Sequence, residues 1–321
     1  PSSRLYTGKT TGARRPQVSI LRGSPAVKTF WKALAAVPFL ALVVWAIRSD
    51  VAEPRLAAAA APLGDLAAPP PGDPAWRHAR LWDDGKAEFC AYEVSWARYG
   101  KHYPGRALLI LVKEPWAPDL EVKADRPRPD GFDVLKLNHV RDVPTGIYTY
   151  HQMGSVYLRR DSGALRKIAA TSSEACGVAS AEMVRGRLET RSYFDGQGDG
   201  AMDWPAGALP QDGLPAHLRD YVAGPAPPTL DVFPSLLYGR FAELRPTSYR
   251  LERQEAGDEV TLRLASGERF LAYTFEKAAP HRLRRFADDE GTTYRLAKCD
   301  RLAYWEMHDP GGEAWLPEKV R

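Results

Sequence analysis

Acidic residues are missing from the first 49 positions of this 321-residue chain, which hold eight Lys and Arg and no Asp or Glu. Of 44 cations and 40 anions in all, residues 50–321 therefore keep 36 and 40, a net of −4. The overall charge of +4 belongs to the N-terminal tail. A mildly acidic remainder is a poor nucleic-acid surface, because such binding rests on clustered cations that displace phosphate counterions. Nucleic acid is thus excluded as its partner.

Cysteine is scarce as well. Cys90, Cys176 and Cys299 are three, an odd number set far apart, without the dense even spacing of a disulfide scaffold or a CxxC metal knuckle. Two readings stay open: one disulfide with one free thiol in an oxidising compartment, or three buried small hydrophobes. The seven histidines never form HExxH, HxH or a Cys/His knuckle, so no metal motif is present and no cofactor is implied.

Long apolar runs are limited to one. From Ala33 to Ile47 no charge occurs, between Lys32 and Arg48 and with Trp31 and Trp45 as brackets. Fifteen residues lie between a signal-peptide core and a spanning helix. The tryptophans resemble an interfacial belt, and Ala57 to Ala61 offer small residues to a signal peptidase. Cation bias places the N-terminus in the cytoplasm and everything after Asp50 outside. The stretch 52–74 has no aromatic residue and is nearly all Ala, Pro and Gly, which makes a spacer rather than a core.

The organisation that follows is a basic tail at 1–28, a signal-anchor or signal-peptide helix at 29–48, a linker at 49–75, a β-rich half at 76–195, a Gly/Pro-rich connector or lid at 196–229, and a helix with a β-meander at 230–321. The protein is expected at the inner membrane with its domain in the periplasm, or secreted there.

From Trp82 onward, short alternating or apolar runs broken by Gly, Pro and Asp predict antiparallel strands. The run 88–96 puts Cys90, Tyr92, Val94 and Trp96 on one face. Residues 107–112 are uniformly apolar and short enough for a central strand buried on both sides. Further strands are predicted at 134–141, 146–153, 155–160, 165–169 and 187–194. Thr171-Ser172-Ser173-Glu174 has the form of a capping box and predicts a short helix to Met183. Another short helix is expected around 216–222. Helical spacing of Phe233, Leu236, Leu237, Arg240, Phe241 and Leu244, with Asp231 as N-cap, predicts a helix over 231–244. A meander follows at 249–254, 259–264, 270–276, 282–287, 292–298 and 302–308. The fold class is mainly β: a large curved antiparallel sheet or half-barrel with one or two packed helices.

Two stretches carry a resemblance. DGKAEFCAYEVSWARYG (84–100), with LILVKEPW, EVKAD, VLKLN, TGIYTY and SSEACG after it, resembles a group of uncharacterised exported bacterial proteins. DVFPSLLYGRF (231–241), with a meander closing on YRLAKCDRLAYWEMHDPG (294–311), looks distantly like periplasmic β-rich proteins of the lipoprotein-carrier-like half-barrel type. The resemblance implies a curved antiparallel sheet over helices and brings no catalytic motif.

Three chemistries are weighed on the residues. Cys176 in a first helical turn would have its thiol pKa lowered by the helix dipole, with His139 or His151 as base. This describes an envelope hydrolase or transferase, although SSEACG equally suits a structural Cys. Asp195, Gln197, Asp199 and Asp203 mimic the first half of a calcium loop, but Ala206 stands where the bidentate Glu belongs. Finally, Trp96, Tyr148, Tyr150, Tyr273, Phe275, Tyr304 and Trp305 on predicted strands point to a concave sheet face that holds an apolar or envelope-derived ligand without chemistry. The alternative partner is an envelope protein engaged by surface aromatics, with the membrane reached through the N-terminal segment.

Overall fold

The alternation at 88–96 is realised in β1 (Ala87–Arg98), from which Cys90, Tyr92, Val94 and Trp96 enter the main core. The computed structural model describes Leu66 and residues 68–318. The basic tail, the hydrophobic segment and most of the linker lie outside the described residues, and so does the N-terminal helix expected at 29–48. Among the described residues no helix is long and apolar enough to cross a membrane.

After β1 come β2 (Lys101–Ala117), β3 (Val122–Lys123), β4 (Phe132–Thr145), β5 (Tyr148–Arg159), β6 (Leu165–Glu174), β7 (Gly177–Val184), β8 (Arg187–Arg191) and β9 (Gly200–Asp203). The second half holds β10 (Leu209–Pro210), β11 (Thr229–Phe233), β12 (Thr247–Ala256), β13 (Glu259–Ser266), β14 (Arg269–Glu276), β15 (Leu283–Asp288) and β16 (Thr293–Leu302). They make one curved, open 16-stranded sheet in the order β10-β11-β12-β13-β14-β15-β16-β1-β2-β4-β5-β6-β7-β8-β9, with β3 pairing only β2. All pairs are antiparallel except β10 with β11. The two edge strands are consecutive in sequence, and the link 204–208 can hold them no more than ~20 Å apart.

Short turns set the hairpins. Tyr99 and Gly100 both take positive φ between Arg98 and Lys101, the type I′ geometry that matches strand twist. β1 lies between β2 and β16, and Cys90 faces Cys299 across the β1–β16 pair. The two form a disulfide, and Cys176 is a free, exposed thiol. Residues 107–112 are a central strand as expected: Ala107, Leu109 and Leu111 enter the main core, and Ile110 and Val112 pack on the other face with Phe89 and Tyr304.

The helix expected at 171–183 is absent. Those residues are β6 and β7, because Ala170, Ser172, Ala179, Ala181 and Met183 alternate inward and ladder pairing overrides the local capping pattern. The helix expected at 231–244 is also replaced. Asp231 sits within β11 rather than capping a helix, and 234–246 is irregular. Gly239 explains why: its φ is +65°, and a Cβ there would come within 2.8 Å of Ser172 Cβ. The strands expected at 146–153 and 155–160 are the single β5. The last one, 302–308, stops at Leu302 and gives way to a 3-10 turn, Tyr304–Glu306.

The middle of the 196–229 segment runs inside rather than across the outside. It carries β9, β10 and two single-turn helices, Leu214–His217 and Asp220–Ala223. Residues 214–222 are buried throughout, as in an element enclosed on all sides. They touch separated sectors of the sheet. Arg219 pairs with Glu88 of β1 at 2.6 Å, Val222 O accepts from Arg253 of β12 at 2.7 Å, and Gly213 lies against Val156 of β5. Arg77 and Trp76 both donate to Asp220, at 2.7 and 2.6 Å. The concave side is therefore filled by the chain's own middle. The end of the 49–75 linker joins this plug, since Asp73 N donates to Asp220 O at 2.7 Å and Tyr221 OH to Pro70 O at 2.9 Å.

Candidate functional site

Antiparallel order places the tips 99–100, 146–147 and 175–176 at one end of the sheet, together with the 289–291 turn. At that end the plug stops short and leaves a groove of about 460 Å³. Its walls are strand ends (Trp96 and Arg98 of β1, Tyr249 of β12, Arg269 of β14) and the irregular 234–246 segment with Tyr238, Arg240 and Arg245. Asp212 fixes that segment by accepting from Ser235 Oγ and from Leu236 N at 2.8 Å. Burial pushes the Asp212 carboxyl up. Gly239 then seats the segment on β6 and β7, which leaves Tyr238 and Arg240 pointing into the groove.

Arginines set the electrostatics. Arg80, Arg98, Arg126, Arg141, Arg240, Arg245 and Arg269 are the described arginines with no carboxylate within 4.0 Å. Four of these line the groove. A fifth, Arg141, is 1% exposed behind it and donates to Gln152 Oε1 and to Tyr294 OH at 3.3 Å. Its guanidinium lies 4.8 Å from the Trp96 ring centroid. Glu243, Asp288, Asp289 and Glu290 also border the groove, so its charge is mixed. Burial, with Glu290 and Asp289 nearby, pushes Asp288 up to about 6.

Beneath the groove is a small cavity of about 40 Å³, lined among others by His139, Asp212, Tyr238, Tyr273 and Tyr294. It has room for one or two waters. His139 bonds Tyr294 OH at 3.2 Å, and burial together with Arg141 pushes it down to about 3, so it is neutral.

The seven aromatics expected at the ligand are dispersed. Trp96 lines the groove, while Tyr150, 4.9 Å from Trp96, and Tyr148 stand beside it. Tyr273 borders the small cavity, and Phe275 is wholly buried. Tyr304 packs on Phe89 at the opposite face, with the exposed Trp305 next to it.

Cys176 sits in a hairpin tip, not a helical turn, and no hydrogen bond joins it to either histidine among the described residues. His139 is interior, and His151 is exposed and paired with Asp142 at 2.8 Å. The calcium-loop residues diverge: Asp195 accepts from Gly196 N, Gln197 from Phe241 N, Asp199 from Ser192 N and Asp203 from Arg187. Among the described residues, Glu88, Cys90 and Cys299 are the set of three metal-type ligands that converges. The disulfide takes both sulfurs of that set.

Sequence reasoning missed Arg98, Arg141, Asp212, Ser235, Tyr238, Arg240, Arg245 and Arg269. One signal was available: along β4, Leu135, Leu137, His139, Arg141 and Val143 share a parity, which puts an arginine on the inward face.

No family model and no curated protein matches the chain. Among solved structures it is similar to a β-barrel-like protein of the domain of unknown function DUF1849 from Brucella abortus. That likeness has 10% identity and a TM-score of 0.39, over 68% of this chain and 98% of that one.

Proposed function

We propose that this is an exported envelope protein, tethered through its N-terminal hydrophobic segment, that binds a small molecule in the groove at the open end of the sheet and does not convert it. The observation that carries this reading is the groove itself. Its 460 Å³ falls in the range of small-molecule sites, and it joins aromatic rings to arginines that have no carboxylate partner among the described residues. The mixed lining favours an amphipathic ligand over the purely apolar one expected from the strand aromatics. Cys176 adds no catalytic centre to this reading: among the described residues no histidine hydrogen-bonds its thiol.

The test is retention from an envelope extract. The full chain, incubated with extract and washed, should carry a small molecule visible by mass spectrometry. Ala242→Trp, which fills the groove from an exposed position, should not carry it. Equal retention by both proteins, or none by either, would overturn the reading.

One observation favours a second role as a scaffold for an envelope protein. Tyr99, Ile147 and Val178 are exposed at the same end, by 59%, 103% and 60%, on three successive hairpins of the sheet where one partner could cover them together. Ile147→Asp should then weaken partner capture and leave small-molecule retention unchanged.

A further inference from the structure

We infer that the groove's ligand carries an oxyanion, a phosphate or carboxylate, held by Arg98 and Arg240. The inference rests on the binding reading above and names the chemistry of that site.

Most described arginines in this protein find a carboxylate, so those that do not are informative. Arg98 and Arg240 line the groove and also the narrow crevice that adjoins it, where they share walls with Trp96, Phe194 and Tyr238. Each is stacked on aromatic rings. The Arg98 guanidinium lies 4.8 Å from the Tyr99 centroid and 5.5 Å from that of Trp96, and the Arg240 guanidinium lies 3.7 Å from Phe194. A guanidinium over a ring face keeps its N–H edge for polar partners, of which the Tyr99 hydroxyl is one for Arg98, and that edge can take an oxyanion through two parallel hydrogen bonds. It also fixes side chains that would otherwise lose rotamer freedom on binding.

Two further observations agree. Arg98 Nε is buried with no acceptor among the described residues. Behind the same wall, Arg141 adds a buried positive charge with no ion pair among the described residues, 4.8 Å from the Trp96 ring over which Arg98 also lies. A carboxylate of the crevice wall, Glu174, accepts from Tyr193 OH at 2.5 Å and makes no ion pair with either arginine. The acids Asp288, Asp289 and Glu290 come from the end of β15 and the turn after it. With Glu243 of the 234–246 segment they suit hydroxyl or amine donors on the rest of the ligand.

The experiment is calorimetric titration of the full chain with octyl phosphate, octanoate, uncharged octyl glucoside and inorganic phosphate, together with flotation on phosphatidylglycerol and phosphatidylcholine vesicles. Octyl phosphate or octanoate should bind, with an affinity that falls as salt rises. Arg98→Gln/Arg240→Gln should weaken it by about tenfold or more, while Arg126→Gln, an unpaired arginine elsewhere, should not. Competition by inorganic phosphate would identify a free anion as the source, and selective flotation with phosphatidylglycerol a lipid headgroup. Either supports the inference. Octyl glucoside binding as well as octyl phosphate, which needs only the wild-type protein, would overturn it, as would equal anion affinity in the double glutamine variant. If a neutral molecule is retained from extract and lost in Ala242→Trp while no anion binds, the binding reading stands and the oxyanion falls. If neither occurs, both fall.

Discussion

The Arg141 guanidinium carbon lies 4.7 Å from the centroid of the Tyr238 ring. This contact joins the inner face of β4 to the irregular segment that shapes the groove. A buried cation without a carboxylate leans on such rings for part of its stabilisation. Tyr238→Phe keeps the ring and should change unfolding free energy by less than about 1 kcal/mol. Tyr238→Ala loses ring and packing and should cost about 2–4 kcal/mol. Urea melts would separate the two, and equal losses would show that the hydroxyl rather than the ring matters.

Cysteine chemistry gives a second expectation. The native protein should take up one equivalent of maleimide, at Cys176, and two more after unfolding and reduction. Because the disulfide closes a separation of 209 residues, its loss in Cys90→Ser/Cys299→Ser should cost about 3–5 kcal/mol. A melting temperature indifferent to reductant would contradict this.

Acid should destabilise the fold through its interior histidines. Burial pushes His139 and His217 down to about 3, and both ring nitrogens of His217 lack a partner among the described residues. The unfolded chain takes up these protons near pH 6.5, the native chain only near 3. Stability held by the neutral forms is thus complete above about pH 6.5 and is lost as pH falls toward 3. Asp288 and Asp220, both pushed up to about 6 by burial, act in the opposite sense between about pH 6 and 4, because the native state binds those protons first. The urea midpoint should fall from pH 7 to 4.5. His217→Leu should flatten the fall by about one proton, and an unchanged slope would sink the assignment.

Truncation bears on the linker. A chain starting at residue 66 keeps the contacts of Pro70 and Asp73 with the buried plug. A chain starting at 76 loses them, along with the approach of Gly72 to Asp220. The shorter chain should melt at a lower temperature in calorimetry, and equal melting would return residues 68–75 to the role of spacer.

The sheet was legible in the sequence wherever one face is buried, because period-two alternation is then imposed at every second residue, as in Cys90, Tyr92, Val94 and Trp96. It misled at 171–183, where small alternating residues such as Ala179 and Ala181 carry a weak signal and a local Ser/Glu pattern suggested a helix. At 231–244 an i, i+3, i+4 spacing was real in sequence but interrupted by Gly239, whose conformation depends on contact with Ser172 and Ala179, more than fifty residues earlier. The candidate site stayed illegible for a related reason. Its arginines are ordinary residues one by one, and they are distinctive only in lacking the carboxylates that their counterparts elsewhere find through the three-dimensional fold.

The neighbouring placement of β1 and β16 orders events in time. Residues 87–98 emerge first among the strands, yet one of their two ladders is supplied by residues 293–302. Until those arrive, β1 presents an unpaired edge and Cys90 an unmatched thiol. A chain made or delivered from its N-terminus must therefore wait, with that edge open to misdirected pairing, before the seam can be sewn and oxidised.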